Sequence, residues 1–185
     1  MSLVRLLFKG VSEVVASQEV GLVTLANEDK SRELSFICDS AMVYQFGLRI
    51  KKAEITPKLA PEVLWQVISR NMKMRFQIII NDLVEGQYKA LLYMPDILQA
   101  IPVRASDGIL LAYITNMPVF IEDRLFMRQS VPYNESNVGI SVPVNVITNE
   151  MLQKALDKAV YDEDYEKASQ IRDELKRRGG KEQTE

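Results

Sequence analysis

Arg104, Ser106, Asp107, Glu122 and Asp123 are the residues of this chain whose types and spacing can do chemistry. They lie in or just beyond one stretch, Ala100–Glu122, which reads AIPVRASDGILLAYITNMPVFIE. The 185 residues contain no histidine. That excludes Ser-His-Asp and Cys-His nucleophilic sites, imidazole zinc sites and histidine general bases. Hydrolysis in such a chain must rest on carboxylates, and the ions that suit carboxylate ligands are Mg²⁺ and Mn²⁺.

The elements that must position these residues are strand, helix, strand. Ile101 to Val103 are extended and apolar. Ser106 has N-cap chemistry, and Asp107 puts a carboxylate in the first helical turn, where the dipole favours negative charge. Ile109, Leu110, Tyr113, Ile114 and Met117 recur at helical spacing. Pro118 ends the helix, and Val119-Phe120-Ile121 is a buried-strand run. A helix over 106–116 spans roughly 16 Å, and a strand over 118–122 spans about the same. A strand running back along the helix therefore returns Glu122 and Asp123 to the level of Arg104 and Asp107.

Arg104, Ser106, Asp107, Leu111, Ala112, Pro118 and Phe120 carry a resemblance to the bifunctional nuclease family. Its core pattern enters a helix through Arg-Pro-Ser-Asp-Ala; the corresponding residues here are Arg104-Ala105-Ser106-Asp107-Gly108. The resemblance implies hydrolysis of DNA or RNA phosphodiesters, with Asp107, Arg104 and Ser106 as catalytic candidates. Two readings of the cluster stay open. In one, Asp107, Glu122 and Asp123 hold a divalent metal that activates water while Arg104 steadies a phosphate. In the other, Asp107 complements the helix dipole, Ser106 caps, and Arg104 pairs with a carboxylate to fix the strand–helix turn.

Composition sets bounds on partners. The net charge is −2, with 23 basic and 25 acidic residues, so the basic excess usual for proteins living on phosphates is absent. Cys38 is the single cysteine, which rules out an intrachain disulfide and suits a reducing compartment. The opening MSLVRLLFKGVSEVV is broken by Lys9 and Ser12, lacks a signal-peptide core and is too short to span a membrane. A cytoplasmic protein without membrane contact is expected.

Further signals organise the chain. Leu3–Phe8, Val20–Ala26 and Glu33–Ile37 read as strands, the last two joined by a charged turn at 27–32. Met42, Val43, Phe46 and Ile50 suit one face of a helix over 40–50, for which Ser40 is a candidate cap. Arg49, Lys51 and Lys52 form a small basic cluster, either a solvated helix C-terminus or a phosphate contact. Where the family usually carries a His and an Asp, residues 56–64 of this chain have neither. Pro61 and Glu62 open a second helix, and Trp65 reads as core or interface. Phe76–Asn81 and Tyr88–Met94 form a hairpin with Gly86 in its turn. The expected fold is α+β: a twisted mixed or antiparallel sheet with packed helices over residues 1–130, then a linker over 131–147.

The tail, 148–180, reads as an αα-hairpin ending in Gly179-Gly180. Leu156, Ala159, Asp164, Tyr165, Glu166, Ala168, Ile171, Arg172, Asp173 and Leu175 resemble the UVR motif of the excision-repair proteins UvrB and UvrC. A short helical hairpin buries little by itself. Its apolar stripe, Tyr165, Ala168, Ile171 and Leu175, is therefore expected to meet a protein partner or a second copy, giving a homo-oligomer. Two functions remain open: a metal-dependent nuclease with an interaction tail, or a non-catalytic oligomeric adaptor.

Overall fold

Eight strands make one mixed sheet in the computed structural model, which describes residues 2–14, residues 17–134 and a set of helical positions between 153 and 175. The chain opens with a meander of β1 (Leu3–Val14), β2 (Ser17–Asn27) and β3 (Arg32–Asp39). Helix α1 (Ser40–Ile50), a 3-10 turn at Thr56–Lys58 and α2 (Ala60–Asn71) follow. The hairpin β4 (Gln77–Val84) and β5 (Gln87–Met94) leads to β6 (Gln99–Arg104), α3 (Ala105–Thr115) and β7 (Val119–Glu122). Helix α4 (Asp123–Gln129) and the short β8 (Val131–Pro132) complete the domain. The strand order is β6-β5-β4-β7-β1-β2-β3-β8; β4 and β7 are parallel and every other pair is antiparallel. The expected α+β class with a mixed sheet is borne out.

The sheet coils until its two halves face each other. Phe36 on β3 and Tyr88 on β5 stand five places apart in the strand order, about 24 Å on a flat sheet. Their ring centroids are 4.7 Å apart. The enclosed core holds Phe36, Phe46, Ile78, Ile80, Ile109 and Ile121, all buried. Helices α1 and α3 close it, with Phe8 stacked on Phe46 at 5.4 Å and edge-on to Tyr113 at 4.7 Å.

Two glycines allow these helices to lie close. A Cβ on Gly21 of β2 would sit 2.0 Å from Val43 Cγ2 of α1, and one on Gly108 of α3 would meet Val103 Cγ1 at 3.2 Å. Gly108, where the family pattern has Ala, is thus fitted to a tight α3–sheet contact. Helix α3 ends with Asn116 in the left-handed region, φ 58°, ahead of Pro118.

Several details differ from the sequence expectations. Asp39 rather than Ser40 caps α1, accepting a hydrogen bond from the Met42 amide at 2.7 Å. Arg49 is buried and paired with Glu62 at 2.8 Å, tying α1 to α2, so only Lys51 and Lys52 of the basic cluster are solvated. Trp65 is half-buried against Phe76 at 5.6 Å, in keeping with a packing role. The span expected as a linker begins inside the sheet: Val131 and Pro132 pair with β3, and the Tyr133 amide bonds the Ser31 carbonyl. The rest of that span, from residue 135, lies outside the described residues. In the tail every described position from Gln153 to Leu175 is helical, with Ala159 and Ala168 buried. No helix among the described residues is long and apolar enough to cross a membrane.

Candidate functional site

Strand β6 ends at Arg104, and α3 begins at the next residue, so the backbone turns sharply where the candidate residues sit. Arg104 Nε donates to Asp107 Oδ2 at 2.7 Å, and Nη2 donates to Asp107 Oδ1 at 3.2 Å. Arg104 Nη1 donates to Asp39 Oδ2 at 2.9 Å. Asp39 closes β3, so the coiling of the sheet delivers it to Arg104 from a distant part of the sequence. The result is a carboxylate–guanidinium–carboxylate cluster carrying about one net negative charge. All three side chains are roughly half exposed.

The electrostatics follow from these bonds. The Met42 amide, and then Arg104, hold the Asp39 carboxyl below the usual carboxylate range. Asp107 and Asp39 together raise the Arg104 pKa, so the guanidinium is permanently charged. Burial, reinforced by the neighbouring Asp39, pushes the Cys38 thiol up to about 11. Cys38 is therefore protonated at neutral pH and is not a thiolate nucleophile.

The structure splits the candidate set taken from the sequence. Arg104 and Asp107 are together, and Ser106 is beside them, buried within the first turn of α3 rather than capping it. Glu122 and Asp123 are elsewhere. Glu122 caps α4, accepting from the Leu125 amide at 2.9 Å, and the Asp123 amide bonds the Ser2 carbonyl at 3.1 Å. The length argument gave the right level, because Ile121 aligns through Ile80 and Ala90 with Val103. It missed the lateral offset: β4 and β5 lie between β7 and β6, a separation of three strand spacings, roughly 14 Å. Asp39 was missed as a site residue. Its signal was a carboxylate at a strand end immediately before a helical pattern.

The three carboxylates expected to share a divalent ion, Asp107, Glu122 and Asp123, are thus not gathered at one place. Each carboxylate oxygen of Asp39 and Asp107 already accepts a hydrogen bond, three of the four from Arg104. The described residues contain no group of three or more Cys, Asp or Glu placed to hold a metal.

A cavity of about 860 Å³ opens beside the cluster, inside the coil of the sheet. Arg104, Asp39 and Ser106 lie on its lining, and Tyr88, Leu83 and Phe36 supply apolar wall. Lys89, paired in register with Arg104, adds a second cation, and Asn81 and Gln129 add amides.

Fold and site define an α+β domain with an arginine-bridged carboxylate pair at the mouth of an internal cavity. Residues 23–134, more than half of the chain, match the bifunctional nuclease domain, and residues 150–177 match the UvrB/uvrC motif. The chain belongs to the bifunctional nuclease domain family and carries a UVR motif behind that domain, as both resemblances implied. Membership points to a nuclease-like function, and the UVR motif to DNA binding or protein interaction. No curated protein matches the chain.

Proposed function

We propose that this chain hydrolyses nucleic-acid phosphodiesters at the Arg104–Asp107–Asp39 cluster, with its UVR tail serving to recruit a protein partner or a second copy. The observation carrying this reading is the clamping of Arg104 between two carboxylates at a cavity mouth, within the family's own domain. Three of the five guanidinium N–H groups are spent on Asp107 and Asp39, which leaves two for a phosphate oxygen. Fixed between its partners, Arg104 meets the charge that develops on the phosphoryl oxygens without first having to be ordered.

Asp107 is the candidate to orient water, since Asp39 is also committed to the α1 cap. The water oxygen bonds to phosphorus and one P–O ester bond breaks. The water proton passes to the Asp107 carboxylate, and the departing alkoxide is protonated from solvent. The requirement for Mg²⁺ or Mn²⁺ is part of the proposal and rests on the histidine-free, carboxylate-bearing sequence.

A second reading, a non-catalytic interaction module, is favoured by α2. That helix has no buried residue and exposes Val63, Leu64 and Val67. Digestion of single- and double-stranded DNA and RNA with Mg²⁺, Mn²⁺ or EDTA separates the two. Cleavage that falls in Arg104→Gln supports the first reading, and no cleavage under any condition leaves the second.

A further inference from the structure

We infer that the internal cavity is a nucleotide pocket that takes one unpaired base, so that the chain acts on single-stranded rather than duplex nucleic acid. The inference rests on the nuclease reading and specifies its substrate. Three observations carry it.

The first is size and shape. About 860 Å³ lies within the range of small-molecule sites and accommodates a nucleotide, but the space is bounded by β3, β5 and the β6–α3 turn. A duplex cannot enter it; a base must leave its stack to do so, at a cost that vanishes for a strand already single. The second is chemistry of the wall. Tyr88 is half-buried, faces the cavity and is backed by the fully buried Phe36, which fixes the ring as a stacking platform. Asn81 and Gln129 line the same space with amide groups that have no hydrogen-bond partner among the described residues, and amides pair with base edges. The third is charge. Lys89 and Arg104 are the cations on the lining, and Asp39 and Asp107 balance them. That is enough to hold one phosphate at the rim and too little for the phosphate ladder of a duplex.

The test is titration of the full chain with adenosine, guanosine, cytidine and uridine 5′-monophosphates and with inorganic phosphate, followed by calorimetry. Alongside it, cleavage of one strand is compared free and in duplex. At least one nucleotide is expected to bind at least about fivefold more tightly than phosphate, the low end of what one stacked base contributes. The single-strand salt slope is expected to be no steeper than about −1.4, the value for two released counterions. Tyr88→Leu should abolish the preference for nucleotide over phosphate, and Tyr88→Phe should keep it. If Tyr88→Leu does not fold, Leu83→Trp, which fills the cavity, should block nucleotide binding. Phosphate binding as tightly as every nucleotide, or duplex cut as fast as single strand, overturns the inference while leaving the nuclease reading standing. Nucleotide binding without any cleavage supports the pocket and removes the nuclease.

Discussion

Arg104 Nη1 lies 2.9 Å from Asp39 Oδ2, a contact between the outermost strand on one side of the sheet and a strand near the opposite edge. This pair exists only because the sheet coils, and it joins the start of α1 to the start of α3. It places the candidate site where the two halves of the coiled sheet meet.

Acid titration reads the Asp39 side of the pair. The folded carboxyl is held below its usual pKa, first by the Met42 amide and then by Arg104. A depressed carboxylate contributes stability that is full above the unfolded value, near pH 4, and is lost as pH falls through the folded value. Asp39→Asn keeps the capping geometry and loses the charge. It should lower stability modestly at pH 7, and the deficit relative to the wild type should vanish as pH falls below about 4, as followed by circular dichroism against urea.

Gly21→Ala tests the packing of α1 on the meander. The added Cβ would meet the branched Val43 side chain at 2.0 Å and the Ser12 carbonyl at 3.2 Å. Val43 has little rotamer freedom with which to yield. Overpacking of this kind costs about 1–3 kcal/mol, and a denaturant midpoint should fall accordingly with unchanged slope. An unchanged midpoint would mean that α1 shifts freely, and that Asp39 is less firmly held than described.

The end of the domain is latched by Lys9, whose ammonium bonds the Glu33 carboxylate and the Asn134 carbonyl and sits 4.5 Å from the Tyr133 ring centroid. Both charged side chains are largely buried, at 15% and 8% exposure. Removing one partner strands the other in a poorly solvated place, at a cost of about 3 kcal/mol. Glu33→Ala should therefore destabilise the domain strongly and expose 131–134 to proteases. The double replacement Lys9→Met with Glu33→Leu, which leaves neither charge unpaired, should cost less than half as much as Glu33→Ala.

For the tail, Ile171→Asp should weaken association measured by size exclusion or pull-down, since an unpaired carboxylate in an apolar contact is costly. Ile171 itself lies outside the described residues; the prediction rests on the UVR motif and its apolar spacing. Nuclease activity of the core should persist. Association that is indifferent to this substitution would detach the tail from the partner reading.

Local chemistry made much of this molecule legible in its sequence. The β4–β5 hairpin announces itself through Gly86, and α3 through Asp107 and the apolar spacing that follows it. The Arg104–Asp107 contact is three residues apart and belongs to the same local grammar. Asp39 is different, because its approach to Arg104 depends on sheet curvature, which no local pattern encodes. The Glu122 misplacement has the same origin: strand length fixes position along a strand, whereas strand order fixes position across the sheet. Helix α4 was missed because Asp123–Gln129 is too short to show a period.

The most direct measurement of the central claim is metal-supplemented and EDTA-treated digestion of single-stranded DNA and RNA by the wild type, Arg104→Gln and Asp107→Asn, with thermal melts of all three. The account predicts cleavage by the wild type. It predicts a fall of at least about tenfold in each variant, equivalent to roughly 1.4 kcal/mol in the barrier, with little change in melting temperature. Variants that cut as fast as the wild type, or that lose stability in step with activity, would contradict it and leave the cluster as the structural fastening between α1 and α3.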